Sequence, residues 1–219
     1  MSDLSDTLQF IRHHQDGEIA EKIRNSGLRY NMNYGVSSML LSNFAKAKGR
    51  NQELAEQLWK ENFREAKLIS FMFANPETIS NQAIEEYVNG CENSEMVEIG
   101  VLHLFSLVPQ AIDCAMKWIQ NENKYVKMSG YMTIARLAMK KNFVSETQLR
   151  DLCLQIEKDV KMDDMFAFQS ITRAIQELAF RCNAYKPFML EKIKYIREQN
   201  KGTIFELQTK ELLEIVEFC

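Results

Sequence analysis

Apolar residues recur every three or four positions along nearly the whole chain, a spacing that places them on one face of an α-helix. The stretch 97–108 is a clear case, because its apolar stripe consists of residues 97, 101, 104 and 108. Turn signals such as Asn75-Pro76 and Asn89-Gly90 separate these stretches. No stretch is a convincing strand. The pattern predicts an all-α protein of eleven or twelve helices.

The predicted helices tend to fall into consecutive pairs of roughly 35–40 residues, the length of a HEAT-like repeat. Such repeats stack into a curved α-solenoid, an α-α superhelix. No sequence motif recurs from pair to pair, and a globular helical bundle has nearly the same periodicity. Periodicity alone therefore leaves the two architectures open. In either case we expect residues 1–219 to form a single domain.

Composition supports helices joined by short connections, because the 219 residues include only 8 Gly and 3 Pro. No run approaches the roughly 20 apolar residues of a membrane span, and the polar start MSDLSDTLQF is not a signal peptide. These features predict a cytoplasmic protein. The five cysteines are widely spaced without a CxxC pair, which favours buried small side chains over disulfides or metal ligands. We expect no metal and no cofactor.

Charge is unevenly distributed although the net charge is only −3. Residues 51–100 carry a net charge of −7, and residues 101–150 carry +4. The most basic zone comprises Lys117, Lys124, Lys127, Arg136, Lys140 and Lys141. These charges either form a surface that binds phosphate or simply solvate the exposed helix faces.

Glu98 borders the apolar stripe of residues 97–108, in the second turn of a helix that Asn93 or Ser94 could cap. A negative charge near a helix N-terminus is favourable, so Glu98 could be a structural acid paired with a lysine or arginine. The alternative is a functional carboxylate. The sequence around Glu98 leaves both interpretations open.

Three other residues that attract attention are better explained by packing. His103 is flanked by two leucines and has no second ligand at metal-binding spacing, which predicts a core histidine. Trp59 and Trp118 lie on apolar stripes and are predicted core residues.

A longer resemblance begins at Tyr34 and runs to Pro76, in YGVSSMLLSNFAKAKGRNQELAEQLWKENFREAKLISFMFANP. Its matching positions are Gly35-Val36, Ala45-Lys46, Glu53-Leu54-Ala55, Leu58-Trp59 and Arg64-Glu65. The later stretches AMKWIQNENKYVKMSGYMTIARLA and FQSITRAIQELAF extend the match to residues 30–217. The sequence thus resembles the DNA alkylation-repair (AlkD-like) glycosylases. That resemblance implies HEAT-like repeats forming a solenoid whose concave face holds duplex DNA.

The family excises alkylated, positively charged purines, and this chemistry needs a carboxylate near a sugar that develops oxocarbenium character. The resemblance places Glu98 at the family's catalytic aspartate. Ser94 and Arg173 fall where the family has its two tryptophans, and Met128 falls at its phosphate-binding arginine, with Lys127 beside it. Tyr125, Tyr131 and Phe166 are candidates to supply the missing aromatic surfaces.

The resemblance therefore implies a protein that binds duplex DNA through contacts to the DNA backbone. It also implies weak or lost 3-methyladenine and 7-methylguanine glycosylase activity. Glu98 is the candidate catalytic residue. The candidate DNA-binding residues are Lys127, Arg173, Lys124, Arg136, Lys140 and Lys141. The alternative is a non-catalytic HEAT-like scaffold that binds a protein partner or branched DNA. The sequence leaves the oligomeric state open.

Overall fold

The computed structural model describes residues 3–140, 145–159, 164–181 and 183–218. Within these ranges it contains thirteen α-helices, one π-helical turn and no strand, which confirms the all-α prediction. The helices are α1 (Asp3–His13), α2 (Gly17–Asn25), α3 (Ser38–Lys48), α4 (Gln52–Lys60), α5 (Arg64–Phe73), α6 (Asn81–Asn89), α7 (Ser94–Gly100), α8 (Ala111–Trp118), α9 (Lys124–Met139), α10 (Glu146–Asp159), α11 (Met165–Arg181), α12 (Lys186–Gln199) and α13 (Glu206–Phe218). The π-helical turn, Val101–Phe105, directly continues α7.

Short polar side chains start many of these helices by accepting hydrogen bonds from backbone N–H groups of the first turn. Asn51 caps α4 in this way, Ser80 caps α6 and Asn123 caps α9. Asn93 caps α7 by accepting from Met96 N at 3.0 Å, which is one of the two caps that the sequence predicts there. These caps explain why short helices with few glycines between them start at defined positions.

The described residues divide into two compact units, Met1–Pro109 and Gln110–Cys219. In the first unit the odd-numbered helices α3, α5 and α7 stack in order. Helix α5 contacts α3 on one side and α7 with the π-helical turn on the other. Helix α4 covers α5, and α1 packs against α4. This arrangement of paired helices in two layers is the one expected of HEAT-like repeats.

The second unit repeats the same scheme. Helix α11 packs against α9 and α13, while α8 covers α9 and α12 packs against α10, α11 and α13. Glu98 lies on α7, and the described candidate DNA contacts lie on α9 and α11. All of them therefore belong to the alternate helices that stack on one another within their own unit. The prediction of a single domain stays a prediction.

The core contains the side chains that the sequence assigns to it. Trp59 and Trp118 are buried, as predicted. Cys91 and Cys153 are buried thiols and Cys114 is half-buried; all three are free of disulfides. Cys182 and Cys219 lie outside the described residues. No helix in the described part of the chain is long and apolar enough to cross a membrane.

Gly35 shows why the Gly35-Val36 pair is required by the fold. Its φ angle is +74°, a left-handed conformation that favours glycine. A β-carbon at this position would lie 2.0 Å from the carbonyl oxygen of Asp16. The backbone approach is held by a hydrogen bond from Asp16 N to Tyr34 O at 2.8 Å. The segment between α2 and α3 is thereby fastened to the start of α2.

Candidate functional site

A buried polar network supports the helix that carries Glu98. Its first member is Glu65 on α5, whose carboxylate is fully buried. Glu65 accepts hydrogen bonds from Tyr34 N at 3.0 Å and Val36 N at 3.2 Å. It also accepts from Arg64 Nη1 at 3.0 Å. A buried carboxylate is tolerated when several donors satisfy it, so the segment between α2 and α3 is anchored on α5.

Arg64 extends this network to α7. Its Nε and Nη2 atoms donate to the two carboxylate oxygens of Glu95, at 2.8 and 2.5 Å, and its Nη1 donates to Val36 O at 2.8 Å. Burial alone would lower the pKa of Arg64, but the carboxylates of Glu95 and Glu65 outweigh it and the pKa is raised. The guanidinium therefore stays charged, and its bidentate contact fixes the first turn of α7.

Tyr30 completes the network from the side of the α2–α3 segment. Its hydroxyl lies 2.7 Å from Glu95 Oε2 and 3.0 Å from Asn93 Oδ1. Burial and the charge of Glu95 raise the pKa of the phenol, which keeps it a hydrogen-bond donor. The Asn93 amide donates in turn to Arg29 O at 3.2 Å. Residues 93 and 95 at the start of α7 are thus both held by side chains.

Glu98 lies one helical turn after Glu95, and its side chain is exposed. Partial burial raises its pKa, and the nearby charge of Glu95 raises it further. Among the described residues, no lysine or arginine lies within ion-pair distance of Glu98. The lysine or arginine partner of the structural interpretation is therefore absent from the described residues. The structure presents Glu98 as an accessible carboxylate on a helix whose beginning is fixed.

The π-helical turn begins three residues after Glu98. Its signature is the hydrogen bond from Ser106 N to Val101 O, which spans five residues. Gly100 permits this local geometry, because a β-carbon there would lie 2.6 Å from the Phe105 ring. His103, within this turn, lines a cavity of about 360 Å³ and is half-buried rather than part of the core. The predicted core position of His103 is therefore wrong.

Lys127 on α9 is held by a carboxylate of α10. Its Nζ atom lies 2.6 Å from Asp159 Oδ1, and the lysine side chain is 14 % exposed. Asp159 also accepts from the Tyr131 hydroxyl at 2.8 Å and from Gln155 Nε2 at 3.0 Å. Met128, which the sequence resemblance assigns to the family's arginine, is buried. This cluster links α9 to α10 inside the second unit.

Lys124 and Arg173 are paired as well but remain accessible. Lys124 Nζ lies 2.7 Å from Asp164 Oδ2, and its side chain is 45 % exposed. Arg173 Nη2 lies 2.7 Å from Glu177 Oε1, and its side chain is 52 % exposed. Glu177 is buried and also accepts from Arg181. Both cations combine an internal carboxylate partner with a surface open to solvent.

Arg136 and Lys140 place two positive charges one turn apart at the end of α9. Burial lowers the pKa of Lys140, and the charge of Arg136 lowers it further. The Nε atom of Arg136 is buried without a hydrogen-bond partner among the described atoms. Lys141 lies outside the described residues. An anion on this turn would relieve the repulsion between the two like charges.

The candidate aromatic replacements occupy different environments. Tyr131 is fully buried with its hydroxyl on Asp159, so it cannot form a surface for a base. Tyr125 is half-buried beneath the Lys124 ammonium, which lies 4.8 Å from the ring centre. Phe166 is 54 % exposed. Two of the three aromatics therefore remain candidates. No group of three potential metal ligands occurs in the described part of the chain.

Comparisons with known proteins agree with this architecture. The chain is similar to a solved structure described as a new family of proteins related to the HEAT-like repeat DNA glycosylases, with affinity for branched DNA structures. The TM-score is 0.79 at 20% sequence identity, and the match covers 89% of this chain and 83% of that chain. This likeness confirms the HEAT-like fold. No curated protein sequence matches the chain.

The sequence itself settles the family. Residues 7–186, most of the chain, match the family described as DNA alkylation repair enzyme. The match covers Glu98 and all six candidate DNA-binding residues. The chain therefore belongs to the DNA alkylation repair enzyme family.

Proposed function

We propose that this protein binds DNA in the cytoplasm through contacts to the sugar-phosphate backbone, and that it excises alkylated purines weakly or not at all. The observation that carries the proposal is Glu98. It is an exposed carboxylate without a cationic partner among the described residues, and the sequence resemblance assigns it to the family's catalytic acid. Since no ion pair gives this carboxylate a structural role, and its pKa is raised, it is a candidate for a functional site.

In excision, Glu98 would stabilise positive charge on the sugar as the base departs, and it would orient the attacking water. The extra methylene of glutamate relative to aspartate moves the carboxylate by about 1 Å, a displacement that can reduce the rate on the order of a hundredfold. The proposed excision activity is therefore weak at best.

The residues at the two tryptophan positions also argue for weak excision. Ser94 has no aromatic ring, and Arg173 is engaged with Glu177 at 2.7 Å. A lost aromatic stacking contact costs about 1–3 kcal/mol per base. Of the remaining aromatics, Phe166 is exposed and Tyr125 already contacts Lys124. DNA binding does not depend on these rings, because it is dominated by phosphate contacts.

For the DNA contacts we propose the six predicted residues, in two groups. Arg136 and Lys140 belong to the first, because two like charges on one helical turn favour an anion. Lys141, which lies outside the described residues, is included because it follows Lys140 in the sequence. The second group consists of Lys124, Lys127 and Arg173. Each of these cations would release its carboxylate partner in order to bind a DNA phosphate. Lys124 and Arg173 are about half exposed and can make this exchange readily, whereas Lys127 is largely enclosed.

Binding is tested by fluorescence anisotropy with labelled duplex and four-way-junction DNA at 50 and 200 mM salt. These concentrations are chosen because phosphate contacts make affinity fall steeply over this range. Stronger binding at the lower salt concentration is expected. No binding to either DNA at 50 mM salt would refute the proposal. Comparing the two substrates also tells whether the chain shares the affinity for branched DNA described for the similar solved structure.

Excision is tested with duplex DNA containing 7-methylguanine, by chromatographic detection of the released base. If activity remains, we expect slow release that Glu98→Gln abolishes. Release that is unaffected by Glu98→Gln would remove Glu98 from the mechanism. No release from the unchanged protein is the expected result if the activity is lost, provided that DNA binding is retained.

A scaffold for a protein partner is the second candidate function. Residues 51–100 carry a net charge of −7, and the cavity lined by Glu56 and Glu86 lies in this part of the chain. A scaffold is expected to bind neither DNA at low salt, whereas the proposed DNA binder is expected to bind both. The same anisotropy measurement therefore distinguishes the two functions.

A further inference from the structure

A basic cavity in the first unit is not accounted for by Glu98 or by the predicted DNA contacts. It lies between α3, α5 and the π-helical turn and has a volume of about 360 Å³. Its lining includes Ser42, Ala45, Lys46, Arg50, Met72 and His103. The described lining contains no aspartate or glutamate. A lysine, an arginine, a histidine and a hydroxyl together favour a negatively charged ligand.

Arg50 gives the cavity a permanent positive charge. Its Nη1 atom donates to the carbonyl oxygens of Met72 and Ala74, both at 2.8 Å, and of Phe71 at 3.2 Å. Its Nη2 atom donates to His103 O at 3.1 Å. These contacts hold the guanidinium at the end of α5 and against the π-helical turn. Two of its five N–H donors remain for a ligand.

No carboxylate among the described residues neutralises Arg50. None lies within ion-pair distance, and its pKa is lowered by burial alone. Arg64 differs in both respects, because it is buried and has two carboxylate partners. A cation whose guanidinium is held only by neutral carbonyl groups is stabilised when an anion binds beside it.

Lys46 supplies the second charge. It lies in the last turn of α3, exposed, with no carboxylate within ion-pair distance among the described residues. Ser42 lies one turn earlier on the same helix face. Lys48, two residues further on, has a different environment, because its ammonium lies 3.7 Å from Asp6 and 5.8 Å from the Phe44 ring centre. Lys46 is thus the lysine of this helix that is available to a ligand.

A second cavity in the same unit provides a comparison. It has a volume of about 260 Å³, and its lining includes Glu56, Glu86 and Lys60. Two carboxylates against one lysine make this site unfavourable for an anion. The excess of cations is therefore a property of the cavity beside Arg50 and not of every hollow in the unit.

We infer that the cavity beside Arg50 and Lys46 binds a phosphate group. The identity of the molecule that carries this phosphate rests on the proposed function. We therefore assign the phosphate to the backbone of a bound DNA strand. The position fits, because His103 follows Glu98 by five residues, or roughly 7 Å along the helix axis. A phosphate held there would anchor the strand near the carboxylate. A free phosphate compound has the same chemistry and is distinguished by experiment.

The decisive variant is Lys46→Glu, with Lys48→Glu as the matched control for the same charge change on the same helix. We expect Lys46→Glu to weaken binding to duplex DNA about tenfold at 0.1 M salt and to lower the slope of log affinity against log salt by about 1. Lys48→Glu is expected to change affinity less than twofold. Lys46→Ala, which is expected to weaken binding by a smaller factor, is the second variant, and circular dichroism verifies folding of each.

Inorganic phosphate is the second probe. Its binding is measured by NMR, from the shifts of the amide resonances of residues 42–50 in the unchanged protein and in Lys46→Glu. Equal DNA affinity of Lys46→Glu and the unchanged protein, or equal loss in both charge reversals, would overturn the DNA assignment. If the unchanged protein binds no DNA but shows phosphate shifts that depend on Lys46, the proposed function fails while the phosphate cavity stands. Absence of both DNA binding and phosphate shifts overturns both.

Discussion

Arg64 and Glu95, which are 31 positions apart in the chain, form a bidentate ion pair with N–O distances of 2.8 and 2.5 Å. Arg64 is the first residue of α5, and Glu95 is the second residue of α7. The pair therefore connects the beginnings of two stacked helices. Glu98, one turn further along α7, is positioned by this contact without taking part in it.

Removing the guanidinium should destabilise the first unit strongly. Arg64→Met leaves Glu95 and the fully buried Glu65 without their common partner, and breaking a buried ion pair in this way costs about 3–5 kcal/mol. Urea unfolding followed by Trp59 fluorescence measures the effect in a Trp118→Phe background, where Trp59 is the remaining tryptophan.

The control for Arg64→Met is Lys22→Met. Lys22 lies 2.6 Å from Glu18, but both side chains are more than two thirds exposed. Loss of such a surface pair costs less than about 1 kcal/mol. If Arg64→Met and Lys22→Met shifted the free energy of unfolding equally, the network around Arg64 would not stabilise the fold.

Glu98→Gln should stabilise the protein at neutral pH. The pKa of Glu98 is raised by folding, so the folded state binds its proton more tightly than the unfolded state. Ionisation of Glu98 therefore costs stability as pH rises above the unfolded pKa of about 4.3. Glutamine removes this cost, and we expect Tm to rise by on the order of 1 °C at pH 7.

The gain from Glu98→Gln should shrink as pH falls toward 4, because Glu98 is then protonated in both states. Differential scanning calorimetry at several pH values measures the difference. Glu122→Gln, a change at an exposed carboxylate outside α7, controls for the loss of one negative charge. A lower Tm for Glu98→Gln at pH 7 would mean that the carboxylate has a stabilising partner in solution.

The sequence predicts features that depend on neighbouring residues along the chain. The Asn93 cap and the buried positions of Val97, Val101 and Leu104 follow from local hydrogen bonding and helical periodicity. Contacts between side chains from distant parts of the chain cannot be predicted in this way. Periodicity shows that Lys127 lies on a helix, but it does not show that Asp159, 32 residues later, will hold it.

His103 failed for a different reason. The sequence interpretation places His103 in the core because two leucines flank it. Leu104 is buried but Leu102 is 42 % exposed, so His103 between them is half-buried at the edge of a cavity. The basic cavity does not follow from the sequence either, because it needs Arg50 and His103 to meet across 53 positions.

Tyr131→Phe tests the cluster that holds Lys127. The Tyr131 hydroxyl donates to Asp159 at 2.8 Å in a fully buried site, and a hydrogen bond to a charged group contributes about 1.5–3 kcal/mol. We expect a loss within that range, measured by urea unfolding followed by Trp118 fluorescence in a Trp59→Phe background. Tyr195→Phe, at an exposed tyrosine of α12, should cost less than about 0.5 kcal/mol. Equal costs would show that Asp159 is satisfied without Tyr131.

Substitutions at two glycines in the first unit distinguish the cost of a left-handed backbone conformation from the cost of a steric clash. Gly27 and Gly35 both have positive φ, at +82° and +74°. A β-carbon on Gly27 meets nothing within 4 Å, whereas one on Gly35 would lie 2.0 Å from Asp16 O and 2.6 Å from Ala20 N. Gly27→Ala should therefore cost only the left-handed conformation, about 1 kcal/mol.

Gly35→Ala should cost more than about 3 kcal/mol, because backbone atoms of α2 must also move away. Thermal unfolding of both variants measures the difference. The hydrogen bond from Tyr34 N to Glu65 joins this segment to the network around Arg64, so we also expect Gly35→Ala to lower DNA affinity through α7. A small and equal cost for both variants would show that the close approach at Gly35 relaxes freely, and the segment would then not hold α7 in place.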